Sequence, residues 1–315
     1  KFKNHDYSCE YFKKYGKMMP EDGLERLRDS DSIFLGAVGY PGVPDHISLW
    51  GLLIPIRRNF QQYVNLRPVK LLKGVASPLK NPGPVDFYIV RENNEGEYSS
   101  IGGRLYEGTD HELAVQESIF TRRGVDRVMK YAFELANKRG KKLTSATKSN
   151  GIIHTMPYWD ERYKAMSIKY PNVFTDQFHI DILAAHFVQH PDWFDVVVAS
   201  NLFGDILSDL GPAVVGGMGI APGANINPEK EFPSMFEPVH GSAPDIAGKK
   251  LANPIACIWT AAMMLDHLGE TEGAKLIVNA IENITEKGDI LTRDLGGTAG
   301  TQDVTKAIIE QIAQS

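Results

Sequence analysis

The segment NLFGDILSDL, Asn201 to Leu210, places two carboxylates, Asp205 and Asp209, four residues apart in a stretch with helical apolar spacing. At that interval both side chains leave one helix face, so together they could hold a single cation. Leu202, Phe203, Ile206 and Leu207 intervene or flank, which predicts that the helix also packs against a core. Two like charges half withdrawn from water repel unless a metal ion or a cationic side chain neutralises them. The pair is either the start of a cation site or an ordinary solvated face.

Other residues could join such chemistry. Arg57, Arg58 and Arg67 cluster around a predicted helix-to-strand turn, and Arg91 and Glu92 end the apolar run DFYIVRE. A guanidinium fork suits a planar carboxylate, although surface arginines are common. Tyr98 follows on a polar, glycine-rich loop, where it is either amphipathic surface or a proton donor. Lys148 stands at a predicted strand end, a place where carboxylate neighbours can tune a lysine for base work. Asp181 opens a predicted helix, so it is a cap or a metal ligand. The stretch FEPVHGSAPDIAGKKLANP has little periodicity, and its small residues would let backbone approach a flat ligand, with Asp245 free to accept from ribose hydroxyls.

These residues need a scaffold, and the pattern supplies one of α/β type. Strands are predicted over Ile33 to Val38, Gln62 to Val69, Asp86 to Glu92, 112 to 121 and Asp195 to Ala199. Helices are predicted over Thr121 to Lys138, capped by Gly140, over Ile152 to Ser167, from Asp181, over 201 to 210, from Pro254, from Glu270 and over Thr301 to Ala313. Gly36, Gly39 and Gly42 beyond the first strand leave room for a ligand or make a tight turn. With 315 residues, 43% hydrophobic, the chain suits about two lobes. A net charge of -5 gives no reason to expect a nucleic-acid surface, and no apolar run is long enough for a membrane span. Cys9 and Cys257 lie far apart and outside any CxxC setting, so a reducing, cytoplasmic location is expected.

In combination and in this order, VRENNEGEYS, TKSNG, HIDI, NLFGDILSDLGP and FEPVHGSAPDIAGK resemble the β-decarboxylating dehydrogenase family, which includes isopropylmalate, isocitrate, homoisocitrate, tartrate and D-malate dehydrogenases. The resemblance covers essentially the whole chain. It implies a two-lobed isopropylmalate dehydrogenase-like fold with a discontinuous first domain, 1–62 and 217–315 binding the cofactor and 63–216 forming the second lobe. It also implies a homodimer with shared active sites, in which Lys148 and Asp181 are the borrowed residues. The family's N-terminal strand and GDGIGPE loop are not found, so an N-terminal piece is expected to be missing.

By motif, Arg57, Arg67 and Arg91 resemble the family's substrate-carboxylate arginines, Tyr98 and Lys148 its catalytic pair, and Asp181, Asp205 and Asp209 its ligands for magnesium or manganese. His240, Gly241, Ser242, Ala243, Asp245, Ile246 and Asn253 fall on the cofactor loop, with Asn201 and Asn150 as weaker candidates for cofactor or substrate contacts. Asp245 followed by Ile246 looks like the NAD-using branch, since an acid facing the ribose repels a 2′-phosphate. The implied cofactors are NAD and Mg2+ or Mn2+, with room for a monovalent cation such as K+. DHISLWGLLIPIRR, MMPEDG and SIFTRRGVDR resemble the tartrate and D-malate branch, and Trp50 would shrink the pocket to a four-carbon diacid. The expected activity is oxidative decarboxylation of D-malate to pyruvate and CO2, with activity on tartrate. The alternatives are 3-isopropylmalate dehydrogenase, a non-catalytic regulatory subunit and, less favoured, a metal-dependent hydrolase.

Overall fold

The computed structural model describes residues 1–314. Its strands are β1 (Ser32–Phe34), β2 (Val64–Lys70), β3 (Asp86–Glu92), β4 (Gly102–Leu105), β5 (Leu113–Gln116), β6 (Lys142–Thr147), β7 (Phe174–His179), β8 (Val196–Ala199), β9 (Pro222–Ile226) and β10 (Ser234–Pro238). Eight form one mixed sheet in the order β1-β10-β9-β2-β3-β8-β6-β7, while β4 and β5 make a separate exposed ribbon.

Strand alternation sorts the core into layers. Val196 and Val198 face helices Arg122–Lys138 and Thr155–Ser167, packing with Val125, Met129, Phe133 and Trp159. Val197 and Ala199 face the other way, onto Leu183, Phe187 and Leu207 of helices Ile180–Gln189 and Asn201–Val214. A third cluster joins helices Ile255–Leu268, Thr271–Lys287 and Thr301–Ala313. A fourth gathers Leu52, Ile56 and Phe60 with Ile33 and Met235. The two expected lobes meet inside the sheet, where β2 pairs with β9 and Val64 lies opposite Ile226.

The α/β layering, the strand over Asp86–Glu92 and the last helix match the sequence expectations. Other details differ. The first strand stops at Phe34, and the expected strand over 112–121 shrinks to the four exposed residues of β5. The helix expected from Ile152 begins at Thr155. Gly140 is not the cap of helix Arg122–Lys138; Arg139 is, and the Gly140 N–H donates to Asp195 Oδ2 at 2.8 Å. The expected helix before Arg57 is a continuous 45–59 segment with a wider π-type turn over Leu49–Leu53, which carries Trp50. No local apolar pattern marks β9 and β10, because their buried positions include Asn225 and Glu237, which break any apolar run.

Helix Asn201–Val214 sits close to the sheet because two of its residues lack side chains. A Cβ at Gly204 would lie 2.6 Å from Arg91 Cβ, and one at Gly211 2.5 Å from Val69 Cγ2. Gly204→Ala should therefore overpack the helix against β3 and lower stability by about 1–3 kcal/mol, read as a lower denaturant midpoint. An unchanged midpoint would show that the helix is free to shift outward.

Candidate functional site

β3 and β8 run parallel, so their carboxyl ends open on the same edge of the sheet. From β8 the chain turns at Ser200 into helix Asn201–Val214, and from β3 it enters the loop carrying Tyr98. Arg91, at the end of β3, forms an ion pair with Asp205 and donates from Nε and Nη2 to Asn201 Oδ1 at 3.1 and 2.7 Å. Tyr98 Oη donates to Asp205 Oδ2 at 2.7 Å. Arg67 Nη1 lies 4.0 Å from Asp209, one helical turn further along. Arg57 reaches Glu237 Oε1 at 2.8 Å, and Arg58 donates to the Tyr98 carbonyl at 2.7 Å with its guanidinium 5.0 Å from the Trp50 ring. Short contacts thus link these groups in one region, with Trp50 39% exposed at its rim.

The electrostatics follow from this crowding. Burial lowers the Arg67 pKa to about 10, with Arg91 the next cause, so that group remains cationic at neutral pH; burial also lowers that of Arg91, with Asp205 opposing. Burial works to raise the Asp205 carboxyl, but Arg91, the Tyr98 hydroxyl and Arg67 outweigh it and hold the group below the usual range. Asp209 is pushed up, first by burial, with Arg67 opposing and Asp205 adding. The Tyr98 hydroxyl is raised by burial and by its bond to Asp205, so it stays protonated. Asp205 and Asp209 offer anionic oxygens of the kind hard divalent cations take.

Two further acids build the loop. Glu92 is buried and accepts from the backbone N–H groups of Asn94 and Glu95 at 2.9 and 2.8 Å. Glu97 accepts from Ser200 Oγ at 2.8 Å and from the Leu202 N–H at 3.0 Å, serving an open donor at the start of helix Asn201–Val214. Asn201, expected as a cofactor or substrate contact, is spent internally, holding Arg91 and donating to the Glu95 carbonyl at 3.0 Å. The sequence signal for Glu92 was an acid closing a buried strand with no cation beyond it. Glu97 carried no signal of its own.

Lys148 and Asp181 lie elsewhere. They follow the parallel ends of β6 and β7, and Lys148 Nζ donates to Asp181 Oδ1 at 2.6 Å. Among the described residues no three His, Cys, Asp or Glu groups converge on one point, so a single chain does not bring Asp181 to Asp205 and Asp209. Ile182, Val188 and Ile206 are exposed on the two neighbouring helices.

At the other end of the sheet, β1 and β10 are parallel and their following loops meet. Ser242 Oγ donates to the Gly39 carbonyl at 2.7 Å. The two loops line a cavity of about 670 Å³ that includes Gly39, Gly42, Gly241, Ser242 and Ala243. A second cavity of about 320 Å³, lined by Ser242, Ala243 and Ile246, adjoins it. Asp245 is exposed on the turn Pro244–Ile246, and His240 Nδ1 lies 2.9 Å from the Gly241 carbonyl. Asn253 bonds Asp294 and the N–H of Ile255 at the start of helix Ile255–Leu268. Asn150 is exposed.

Residues 1–312 match a family model described as isocitrate/isopropylmalate dehydrogenase. The chain belongs to that family. It is 61% identical over 314 residues to D-malate dehydrogenase [decarboxylating] of Escherichia coli K12, covering 97% of this chain and 87% of that protein. It is 58% identical to tartrate dehydrogenase/decarboxylase of Pseudomonas putida, over 98% of this chain and 87% of that one. The crystal structure of isocitrate dehydrogenase from Methylococcus capsulatus superposes with a TM-score of 0.87 at 33% identity, covering 97% of this chain and 88% of that one.

Burial raises the Glu92 carboxyl from its ordinary 4.5 to about 7, against the lowering effect of its two backbone donors. Between those values the folded chain keeps a proton that the unfolded chain has lost, so this contribution to stability declines as pH rises through the window and levels off above about 7. Glu92→Gln should flatten the decline, measured as the denaturant midpoint from about pH 5 to about pH 8. An identical slope in wild type and variant would assign the effect to another group.

Proposed function

We propose that this chain is an NAD- and divalent-metal-dependent oxidative decarboxylase of D-malate, giving pyruvate and CO2, with activity on tartrate. The observation that carries the substrate assignment is the 61% identity to a D-malate dehydrogenase across 97% of the chain. The site chemistry supports the same reading. Arg57, Arg67 and Arg91 are the cations for a small dicarboxylate, and Trp50 limits the pocket beside them. Asp205 and Asp209, with Asp181 from a second subunit, would hold magnesium or manganese. The loop bearing Ser242, Asp245 and Ile246 would take NAD, with Asp245 accepting from the ribose. When bound, the metal polarises the oxygens of the substrate and the nicotinamide accepts hydride. Lys148 removes the hydroxyl proton, directly or through water, and Tyr98, kept protonated by burial and Asp205, delivers a proton to carbon after CO2 departs.

We also propose two lobes, 1–62 with 217–315 and 63–216, and a cytoplasmic homodimer paired through the second. Exposed Ile182, Val188 and Ile206 would be covered there, bringing Lys148 and Asp181 to the partner's Asp205. No helix among the described residues is long and apolar enough to cross a membrane.

With NAD and either metal, kcat/KM for D-malate should exceed that for 3-isopropylmalate by about tenfold or more, with tartrate also oxidised. A preference for 3-isopropylmalate would overturn the assignment, and absence of NADH formation from any of the three would favour a regulatory subunit. Site sharing has its own test. Lys148→Ala and Tyr98→Phe chains, each inactive alone, should regain about a quarter of wild-type activity when refolded together, because about half the dimers are mixed and each carries one intact site. No recovery would place Lys148 and Tyr98 in the same subunit's site.

A further inference from the structure

Beneath the arginines, a run of buried side-chain hydrogen bonds crosses three adjacent strands. Arg67 Nε donates to Asn65 Oδ1 at 2.8 Å, and Asn65 Nδ2 donates to Asn225 Oδ1 at 2.9 Å. Asn225 Nδ2 donates to Glu237 Oε1 at 2.7 Å, and the same oxygen accepts Arg57 Nη2 at 2.8 Å. Asn93 Nδ2 joins from the side, donating to Asn225 Oδ1 at 2.9 Å. Asn65 and Asn225 are fully buried and face one another across the β2–β9 ladder, while Glu237 and Asn93 are under a tenth exposed.

The polarity of this run is fixed. An arginine only donates, so Asn65 must turn its oxygen to Arg67 and its amide to Asn225; Asn225 must then turn its own amide to Glu237. Flipping either amide would set donor against donor. The donors therefore run from Arg67 to one carboxylate, where Arg57 also ends. Arg57 Nε, in contrast, is buried without a partner, a donor that a ligand carboxylate would satisfy.

We propose that Glu237 and Asn225 are positioning residues that lock Arg57 and Arg67 as a pair and so set the span between the carboxylates the site accepts. The proposal rests on the reading of those arginines as substrate-binding. Glu237 lies near the end of β10, Asn225 belongs to β9 and Asn65 to β2, so the run crosses the junction of the two proposed lobes. A shift at that junction would change the spacing of the arginines.

Glu237→Gln and Asn65→Ser break the run at opposite ends and are assayed in the full chain with D-malate, NAD and metal. Each should raise KM for D-malate by about tenfold or more, the scale of a lost bond to a charged group, with KM for NAD unchanged and kcat less affected. Glu237→Asp should recover part of the loss. The double variant should raise KM by less than the product of the single effects, because both changes sever one connected run. An unchanged KM for D-malate in both folded single variants, or fully multiplicative effects, would overturn the proposal. If Glu237→Gln does not fold, Asn65→Ser decides alone by the same KM criterion. Calorimetric titration of D-malate separates the two readings: wild type that binds D-malate without turning it over counts against the activity while the variants still test the run, and wild type that binds no D-malate overturns both.

Discussion

Arg57, Arg67 and Arg91 are each under a tenth exposed, and keeping three guanidinium groups charged so far from water is the constraint on which the rest of the site depends. Each has an acceptor. Arg91 has Asp205 and Asn201, Arg67 has Asn65 with Asp209 nearby, and Arg57 has Glu237. Removing an acceptor would strand a buried cation, whereas a dicarboxylate entering the site would add anionic partners. The carboxylates of Asp205, Asp209 and Glu237 thus offset three buried positive charges, and under the proposed function a bound dicarboxylate would add to them.

The same requirement explains where the acids fall. Asp205 takes both Arg91 and Tyr98 because helix Asn201–Val214 can approach β3 at Gly204, and Glu97 anchors the start of that helix. Glu92 serves the loop between them through two backbone N–H groups. Strand ends, a helix start and one loop therefore form a single construction, in which the position of Tyr98 follows from bonds made by residues on either side of it.

Much of this was legible in the sequence where chemistry and periodicity coincide. Asp205 and Asp209 announced a shared face by their spacing, and the runs DFYIVRE and VVVA announced buried strands by their apolar content. β9 and β10 hid because their buried polar residues satisfy one another across strands, a pairing that no local pattern records. The role of Asn201 was hidden likewise, since its two partners, Arg91 and Glu95, lie more than a hundred positions away in the chain. Asp181 was legible as a residue and not as a place: its helix is where the pattern put it, but its carboxylate meets Lys148 in this chain and not Asp205.

Arg58 ties the backbone of Tyr98 to the helical segment that presents Trp50. The wall that would select substrate size and the group that would deliver a proton are thereby mechanically joined. In evolutionary terms, a change at position 50 that displaced Arg58 would also remove a bond from the backbone of Tyr98, so the two positions share one intermediary.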